Sequence, residues 1–448
     1  MSDMIDIFLD RFQAAADREA VVVGETAVTY NALLDEIEAW GGRLEAAGLP
    51  RGAVVMLKGD FSRDAIAALF ALMRAAAIII PLAPASREME GEFAAEGRAQ
   101  WILDAEAGAI EAAGGDGAHA LYDQVRGESA PAIVLFSSGS SGRPKGVVHN
   151  AARLLEKFRA PGKDLKTLAF LLFDHIAGLD TLFYSLANAS TLVLPTSRAP
   201  DDVCAMVAAY KVEVLPTAPS FLNLLLLSGA HERHDLSSLK IVTYGSEMMP
   251  QSVLERCAEA LPHVRLIQKY GTSEVGAPPT QSRSNTSTWM KIGGEGYEWR
   301  ERDGKFEIKA KTAMVGYLNA PSPFTEDGYF MTGDRIKVDG EYVRFLGRDS
   351  DIINVGGQKV FPSEVEDLVS ELDCVAEVAV FGEPHAILGA AVVARVRPAD
   401  PEMKPGELRA TIRAHLQGRL EPYKIPQKYK FTDEALSTAR GKQVRRSE

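Results

Sequence analysis

The sequence predicts an α/β protein: a large N-terminal domain of α/β subdomains ending in a β-rich part, then a small α/β C-terminal domain. Three observations carry that expectation. Short apolar runs alternate with amphipathic helical stretches through the first part of the chain, an order that favours parallel sheets with helices on their faces. From about Gly293 the texture turns to apolar–polar alternation with Asp-Gly turns at Asp327-Gly328 and Asp339-Gly340, which is antiparallel hairpin chemistry. Beyond Ser350 the α/β pattern returns. A chain of 448 residues has room for two or three domains, and the texture places the boundary near Gly347–Ser350, dividing the chain into 1–347 and 348–448.

In order, residues 20–48 read as two strands around a Gly turn and then a helix carrying Leu33, Leu34, Ile37, Trp40 and Leu44 as its apolar positions. Residues 52–59 read as a strand, 62–76 as a helix and 77–84 as a buried strand. The order recurs as strand 191–195, helix 199–211, strand 212–219 and helix 220–230. Strand-to-loop junctions follow in 238–246 and 263–274, joined by a helix over 251–261. Residues 305–310 and 327–351 read as hairpin strands. In the last unit 363–372 is a helix with Ser363 as its expected cap, 375–384 and 390–398 are strands, 407–420 is a helix, and 422–431 leads to a basic tail.

Composition narrows the function classes. Lysines and arginines number 49 against 61 acids, a net charge of −12, so a broad nucleic-acid surface is not expected. Small anions remain admissible, because a few local cations and helix ends hold them. Cys204, Cys257 and Cys374 are far apart and in no metal-like spacing, which fits a reduced, cytoplasmic setting. The first residues carry acids within their apolar stretch and no basic leader. The most apolar windows are broken by Arg74 and Pro81 or too short to span a bilayer, so no membrane association is expected. The sequence leaves the oligomeric state open, a homodimer included.

Residues 134–150, VLFSSGSSGRPKGVVHN, carry the strongest chemical signal. Gly139 and Gly142 let backbone approach a ligand without a Cβ in the way. Ser137, Ser138, Ser140 and Ser141 add hydroxyl donors and Lys145 adds charge, a combination suited to cradling phosphate oxygens. The P-loop pattern is absent, since no Ser or Thr follows Lys145 to hold magnesium, and the spacing excludes a dinucleotide fingerprint. A flexible polar linker does not account for Pro-Lys-Gly between two apolar strands.

This loop resembles the phosphate loop of the adenylate-forming superfamily, which holds acyl- and aryl-CoA ligases, adenylation domains and beetle luciferases. Four further stretches resemble that family's motifs in the same order: YGTSE (270–274), GYFMTGD (328–334), GRDSDIINVGGQKVFPSEVE (347–366) and STARGKQVRR (437–446). The resemblance covers the chain from Ser137 onwards. It implies a two-step reaction, in which a carboxylate attacks the α-phosphate of ATP to give an acyl-adenylate and pyrophosphate, and a thiol then takes the acyl group. It also implies a small domain that turns between the two steps.

The same resemblance assigns roles. Lys442 would bridge the carboxylate and the α-phosphate, offsetting the repulsion of two anions. Glu274 would hold magnesium, for which one carboxylate plus phosphate oxygens and water suffices. Thr272 would contact the α-phosphate, Tyr270 and Gly271 the nucleotide, and Gly245, Ser246 and Glu247 would line adenine. Asp334 would accept from the ribose hydroxyls with Arg348 assisting. Ser350 stands at the hinge position, where the family usually has Asp or Lys. Gly356 and Gly357 would let a pantetheine arm pass, with Lys359 supporting that state. His175 would lie by the acid, and Phe173, His175, Gly178, Gly245 and Ala277 are expected near its pocket. The implied reading is a ligase for a small aryl or short acyl acid using ATP, Mg2+ and CoA. The alternative is a stand-alone adenylation enzyme that loads a carrier-protein phosphopantetheine. A non-catalytic acyl-binding relative would be expected to lack Lys442 or Glu274, and both are present.

Overall fold

The computed structural model describes residues 4–137 and 143–436. Two seven-stranded sheets are built as the strand–helix alternation requires. In one, the strands Arg265–Gln268, Ile241–Tyr244, Val214–Thr217, Thr167–Leu168, Leu192–Val193 and Glu19–Val23 run parallel, and Thr26–Thr29 closes the edge as a hairpin. In the other, Ala132–Ser137, Ile78–Leu82, Val54–Lys58 and Trp101–Asp104 are parallel. Lys145–Asn150 returns antiparallel to Ala132–Ser137, so the serine-glycine loop joins two adjacent strands rather than a strand and a helix.

Both faces of each sheet are covered, which is why the strands read as continuous apolar runs rather than alternating ones. Helices Met4–Ala14, Tyr30–Ala46, Arg63–Arg74 and Ile176–Ala187 share one core with strands of both sheets, through Phe8, Phe12, Trp40, Phe70 and Phe183 against Val21, Val55, Ile79 and Ile133. Arg63–Arg74 is apolar on every side because it lies inside this layer, with Ala65 to Met73 all buried. Helices Pro200–Tyr210, Pro219–Ser228 and Gln251–Ala260 pack on the outer face of the first sheet. Among the described residues no helix is long and apolar enough to cross a membrane, and the three cysteines are free.

The β-rich part is a six-stranded antiparallel sheet. It begins at Thr280–Ser282, earlier than the expected change near Gly293, because its first two strands are only three residues each and too short to show alternation. Its last strand, Tyr342–Arg348, is followed by the single turn Asp349–Asp351, and Ile353–Val355 already belongs to the separate C-terminal sheet. Asp349 is gripped by Arg335 at 2.6 Å and Lys305 at 2.9 Å. Helix Pro362–Val369 corrects the expected cap: Ser363 lies inside the first turn, and its hydroxyl donates to the Leu346 carbonyl at 2.8 Å.

The C-terminal unit docks on the large one through polar contacts. Asn223 Nδ2 donates to Ala376 O at 2.8 Å, and Arg256 lies 3.4 Å from Asp373. A cleft of about 180 Å³ at the junction is lined by Met249, Lys337, Arg344, Glu364 and Asp367 among others. Two acids here carry raised pKa values. Burial pushes Glu247 up to about 7, aided by Glu377 and Glu366 and opposed by hydrogen bonds from Ser220. Burial likewise pushes Asp367 up to about 7, against the pull of Arg344 and with Glu366, Glu364 and Glu371 adding to the rise. An acid whose pKa rises on folding contributes stability that is complete below its unfolded pKa and is lost as pH rises through the folded value. We therefore predict that the thermal midpoint falls more steeply between pH 5 and pH 8 in the native protein than in a Glu247→Gln, Asp367→Asn double variant. Parallel pH curves from thermal denaturation would show that these acids are not strained by docking.

Candidate active site

Loops from three sheets meet at the carboxyl ends of the parallel strands, where ligands gather in open α/β sheets. Strands Ile241–Tyr244 and Arg265–Gln268 are neighbours in register. Their loops run so close that a Cβ on Gly245 would sit 2.8 Å from the Lys269 carbonyl oxygen, so only glycine fits. Ser246 beside it holds a positive φ of 70°. Glu247, expected with these two at the adenine, is engaged elsewhere. Its carboxylate accepts from the Ser220 amide at 2.9 Å and the Ser220 hydroxyl at 3.1 Å, satisfying the first turn of helix Pro219–Ser228.

Tyr270 leaves the end of its strand towards the β-rich sheet. Its ring stacks on Phe345 with centroids 4.6 Å apart and meets Phe306 edge-on at 5.2 Å. Its hydroxyl donates to Asp334 Oδ2 at 3.0 Å. Asp334 and Arg348 are directly paired across adjacent strands, with Arg348 Nε 3.7 Å from Asp334 Oδ1. Burial holds the Asp334 carboxyl above its ordinary range, while Arg348 and the Tyr270 hydroxyl pull it down. The group is thus an enclosed acceptor with a cation at its back, the arrangement a vicinal diol needs.

The side nearer Lys145 is built around a tight turn. Thr272 and Gly276 exchange backbone hydrogen bonds at 3.1 and 3.0 Å, with Gly271 entering the turn and Gly276 at a positive φ. Thr272 Oγ1 accepts from the amides of Glu274 and Val275 at 3.2 and 3.3 Å, which leaves its own proton to donate outward. Glu274 Oε1 accepts from the Tyr317 hydroxyl at 2.8 Å. Tyr317 sits on the two-residue strand Gly316–Tyr317, which pairs with Val147 and Val148 just beyond the serine-glycine loop, and Lys145 Nζ lies 5.1 Å from the centre of its ring. Tyr317 therefore sits between the loop cation and the carboxylate. Ser137 faces Lys145 across the hairpin. Ser138, Gly139, Ser140, Ser141, Gly142 and Lys442 lie outside the described residues.

Three residues absent from the sequence reading hold this side together. Asn319 donates to the Pro144 carbonyl at 2.9 Å and accepts from the Gly146 amide at 3.2 Å, clamping the exit of the loop. Tyr317 is the second. The third, His149, is fully buried at the end of the returning strand, and its Nε2 bonds the Ser273 carbonyl inside the Thr272–Gly276 turn. Burial lowers the His149 pKa, so the ring is neutral and Nε2 carries the proton to that acceptor. The signal available was local: Gly316 to Asn319 interrupts the alternation of the β-rich part without an Asp-Gly turn, and His149 ends an apolar strand.

On the side away from Tyr270, His175 stands at the N-cap of helix Ile176–Ala187. Two neighbours expected at the acid pocket are structural instead. Phe173 is fully buried, edge-on to Phe61 at 5.3 Å in the layer between the sheets. A Cβ on Gly178 would fall 1.9 Å from the Leu172 carbonyl oxygen, so the glycine is required by the chain passing beside the helix. Asp174 is buried, with Oδ2 accepting from Ser86 at 2.6 Å. Ala277 lies beside Gly271 at the strand-end turn.

In the C-terminal unit, Gly356 and Gly357 form the two-residue turn between Ile353–Val355 and Gln358–Val360, both at positive φ. A Cβ on Gly357 would meet nothing within 4 Å, and Lys359 is exposed. The hairpin tip is open to solvent. Among the described residues no three His, Cys, Asp or Glu side chains converge as a metal cluster. The available donor is a single carboxylate, Glu274, whose Oε2 has no hydrogen-bond partner among those residues, and this suits magnesium that takes its remaining ligands from phosphate and water.

Residues 8–294 match the family described as AMP-binding enzyme, and residues 364–442 match its C-terminal domain. The chain is 26% identical to an indoleacetate–CoA ligase of Aromatoleum aromaticum, over 95% of this chain and 93% of that one. It is 26% identical to a 2-succinylbenzoate–CoA ligase of Listeria monocytogenes, over 96% of each. Among solved structures, an anthranilate CoA ligase in complex with anthranoyl-AMP superposes with a TM-score of 0.82 at 20% identity, covering 98% of this chain and 95% of that one.

Two substitutions test the packing of the site. His149→Leu removes the donor to Ser273 and is expected to cost about 1–3 kcal/mol in unfolding free energy by denaturant titration; a change under about 0.5 kcal/mol would mean that the bond does not support the turn. Gly178→Ala drives a Cβ into a backbone oxygen and should be the more damaging of the two, measured by soluble yield and thermal midpoint. A Gly178→Ala protein as stable as the native one would contradict the close approach.

Proposed function

This chain belongs to the AMP-binding enzyme family, and on that premise we propose that it is an ATP-dependent acid–thiol ligase. It activates a small carboxylic acid, aryl or short acyl, as the acyl-adenylate with release of pyrophosphate, and transfers the acyl group to CoA. The observation that carries the reading is the bridge made by Tyr317 between Lys145 and Glu274, beside the Tyr270–Asp334–Arg348 group. A phosphate-holding cation and a lone carboxylate are brought together on one side of a turn, and a diol-accepting carboxylate stands on the other.

In this reading Asp334 accepts from the ribose hydroxyls, and the loop around Lys145 holds the β- and γ-phosphates that leave together. Gly245, where no side chain fits, lines adenine with its backbone, and Ser246 follows it. Thr272 donates its free proton to the α-phosphate. Glu274, oriented by Tyr317, would hold magnesium, which when bound neutralises charge on the phosphate oxygens. Lys442 enters from the C-terminal unit to bridge the reacting carboxylate and the α-phosphate, where charge builds up in the transition state. With the division at 347/348, the pivot in this reading is Ser350, just past the clamped Asp349. Turning about it takes Lys442 away and brings Gly356, Gly357 and Lys359 towards the thiol. His175, at the helix cap beside the acid, contacts the substrate. CoA as acceptor is supported by the names of the relatives.

The test separates the half-reactions. Lys442→Ala should lower pyrophosphate release from acid and ATP at least a hundredfold, in line with loss of a transition-state cation, yet leave thioester formation from supplied acyl-adenylate and CoA largely intact. Equal loss of both steps would refute the role. Acyl transfer to a phosphopantetheinylated carrier protein but not to CoA would replace the acceptor.

A further inference from the structure

One charged cluster beside the strand-end loops is not used by the chemistry above. Lys157, on the single turn Glu156–Phe158, forms an ion pair with Asp180 and donates to the Ala277 carbonyl at 2.9 Å. Asp180 lies on helix Ile176–Ala187, whose N-cap is His175. The third member is Lys269, the residue before Tyr270. The chain is extended there, its amide bonded to the Tyr244 carbonyl at 2.7 Å, and consecutive side chains of an extended chain leave on opposite sides. Tyr270 points to Asp334 and the β-rich sheet. Lys269 points the other way, within reach of the charges of Asp180 and Lys157.

The cluster does not balance. Asp180 is already paired with Lys157, and the Lys269 ammonium makes no hydrogen bond or ion pair to the described residues. Burial holds it below the ordinary lysine range, and Lys157 adds to that while Asp180 opposes it. Two cations and one anion leave a net positive charge next to Gly245 and Ala277, on the side of the loops away from the ribose-binding carboxylate. A half-buried ammonium without a partner is disfavoured, and a ligand anion offsets that cost. The phosphates of ATP have Lys145 on another strand.

We infer that the acid substrate carries a second carboxylate, remote from the reacting one, that pairs with Lys269. The substrate class is then a dicarboxylic acid, and Lys269 is the residue that selects it, with Lys157 holding Asp180 away. This rests on the ligase reading above.

Matched acids test it: phenylacetate against 4-carboxyphenylacetate, and butanoate against glutarate, each assayed for pyrophosphate release with ATP and CoA. The expected result is a kcat/KM at least tenfold higher for the dicarboxylate in one pair or both. Lys269→Met should remove that preference by a selective fall in the dicarboxylate value, and Lys269→Arg should keep most of it, with thermal midpoints of both variants confirming that they fold. A preference for the mono-acids in both pairs overturns the inference and leaves the ligase reading standing. So does a dicarboxylate preference that survives Lys269→Met, or an equal fall for both members of a pair. Release from none of the four acids, nor from a wider panel, overturns the ligase reading itself.

Discussion

The hydrogen bond from Tyr317 to Glu274 is the constraint around which the rest of the site is arranged. Tyr317 belongs to an edge strand only two residues long, and that strand exists because it pairs with the chain leaving the serine-glycine loop. Glu274 belongs to a turn on the other sheet. The bond therefore ties two sheets together next to Lys145. The His149 bond to Ser273 makes the same connection a few residues away, from a fully buried ring that cannot easily move. With both bonds in place, Lys145, Thr272 and Glu274 have fixed relations although their loops come from separate halves of the large domain. Such preorganisation lets charge stabilisation act without rearrangement during reaction.

A second tie, from Tyr270 to Asp334, joins the first sheet to the antiparallel one and ends at Arg348, the last residue before the turn that leads to the C-terminal unit. The Asp334–Arg348 pair thus lies at the junction of the large unit with the small one. Asp349 is held by two cations of the antiparallel sheet, which fixes the chain up to that residue. The surface on which the small unit rests has the opposite character. It is made of polar contacts and acids that burial keeps from ionising readily, so docking there is opposed by its own electrostatics.

Much of this was legible in the sequence because it is local. The parallel sheets followed from apolar runs between helical stretches. The order of the motifs then implied how they would be brought together. What escaped depends on partners distant in sequence. Tyr317, Asn319 and His149 are ordinary residues until the fold sets them against Glu274, Pro144 and Ser273. Ser363 read as a cap by its position, but it bonds across to Leu346. Gly178 and Phe173 read as pocket residues because they flank His175, whereas each answers to packing, one to a carbonyl 1.9 Å from where its Cβ would be and the other to Phe61. Lys269 belongs to no motif, and the alternation of an extended chain turns it away from the side that Tyr270 marks.

The account is tested most directly by a double-mutant cycle on the bond that opens it. The affinity of ATP with magnesium, measured by calorimetric titration, would be compared for the native protein, Tyr317→Phe, Glu274→Gln and the double variant. If Tyr317 acts by orienting Glu274, Tyr317→Phe should weaken binding in the native background and have little further effect once Glu274 is replaced, a coupling of about 1 kcal/mol. Additive losses, with no coupling between the two positions, would show that the bridge is incidental to nucleotide binding and would contradict the account.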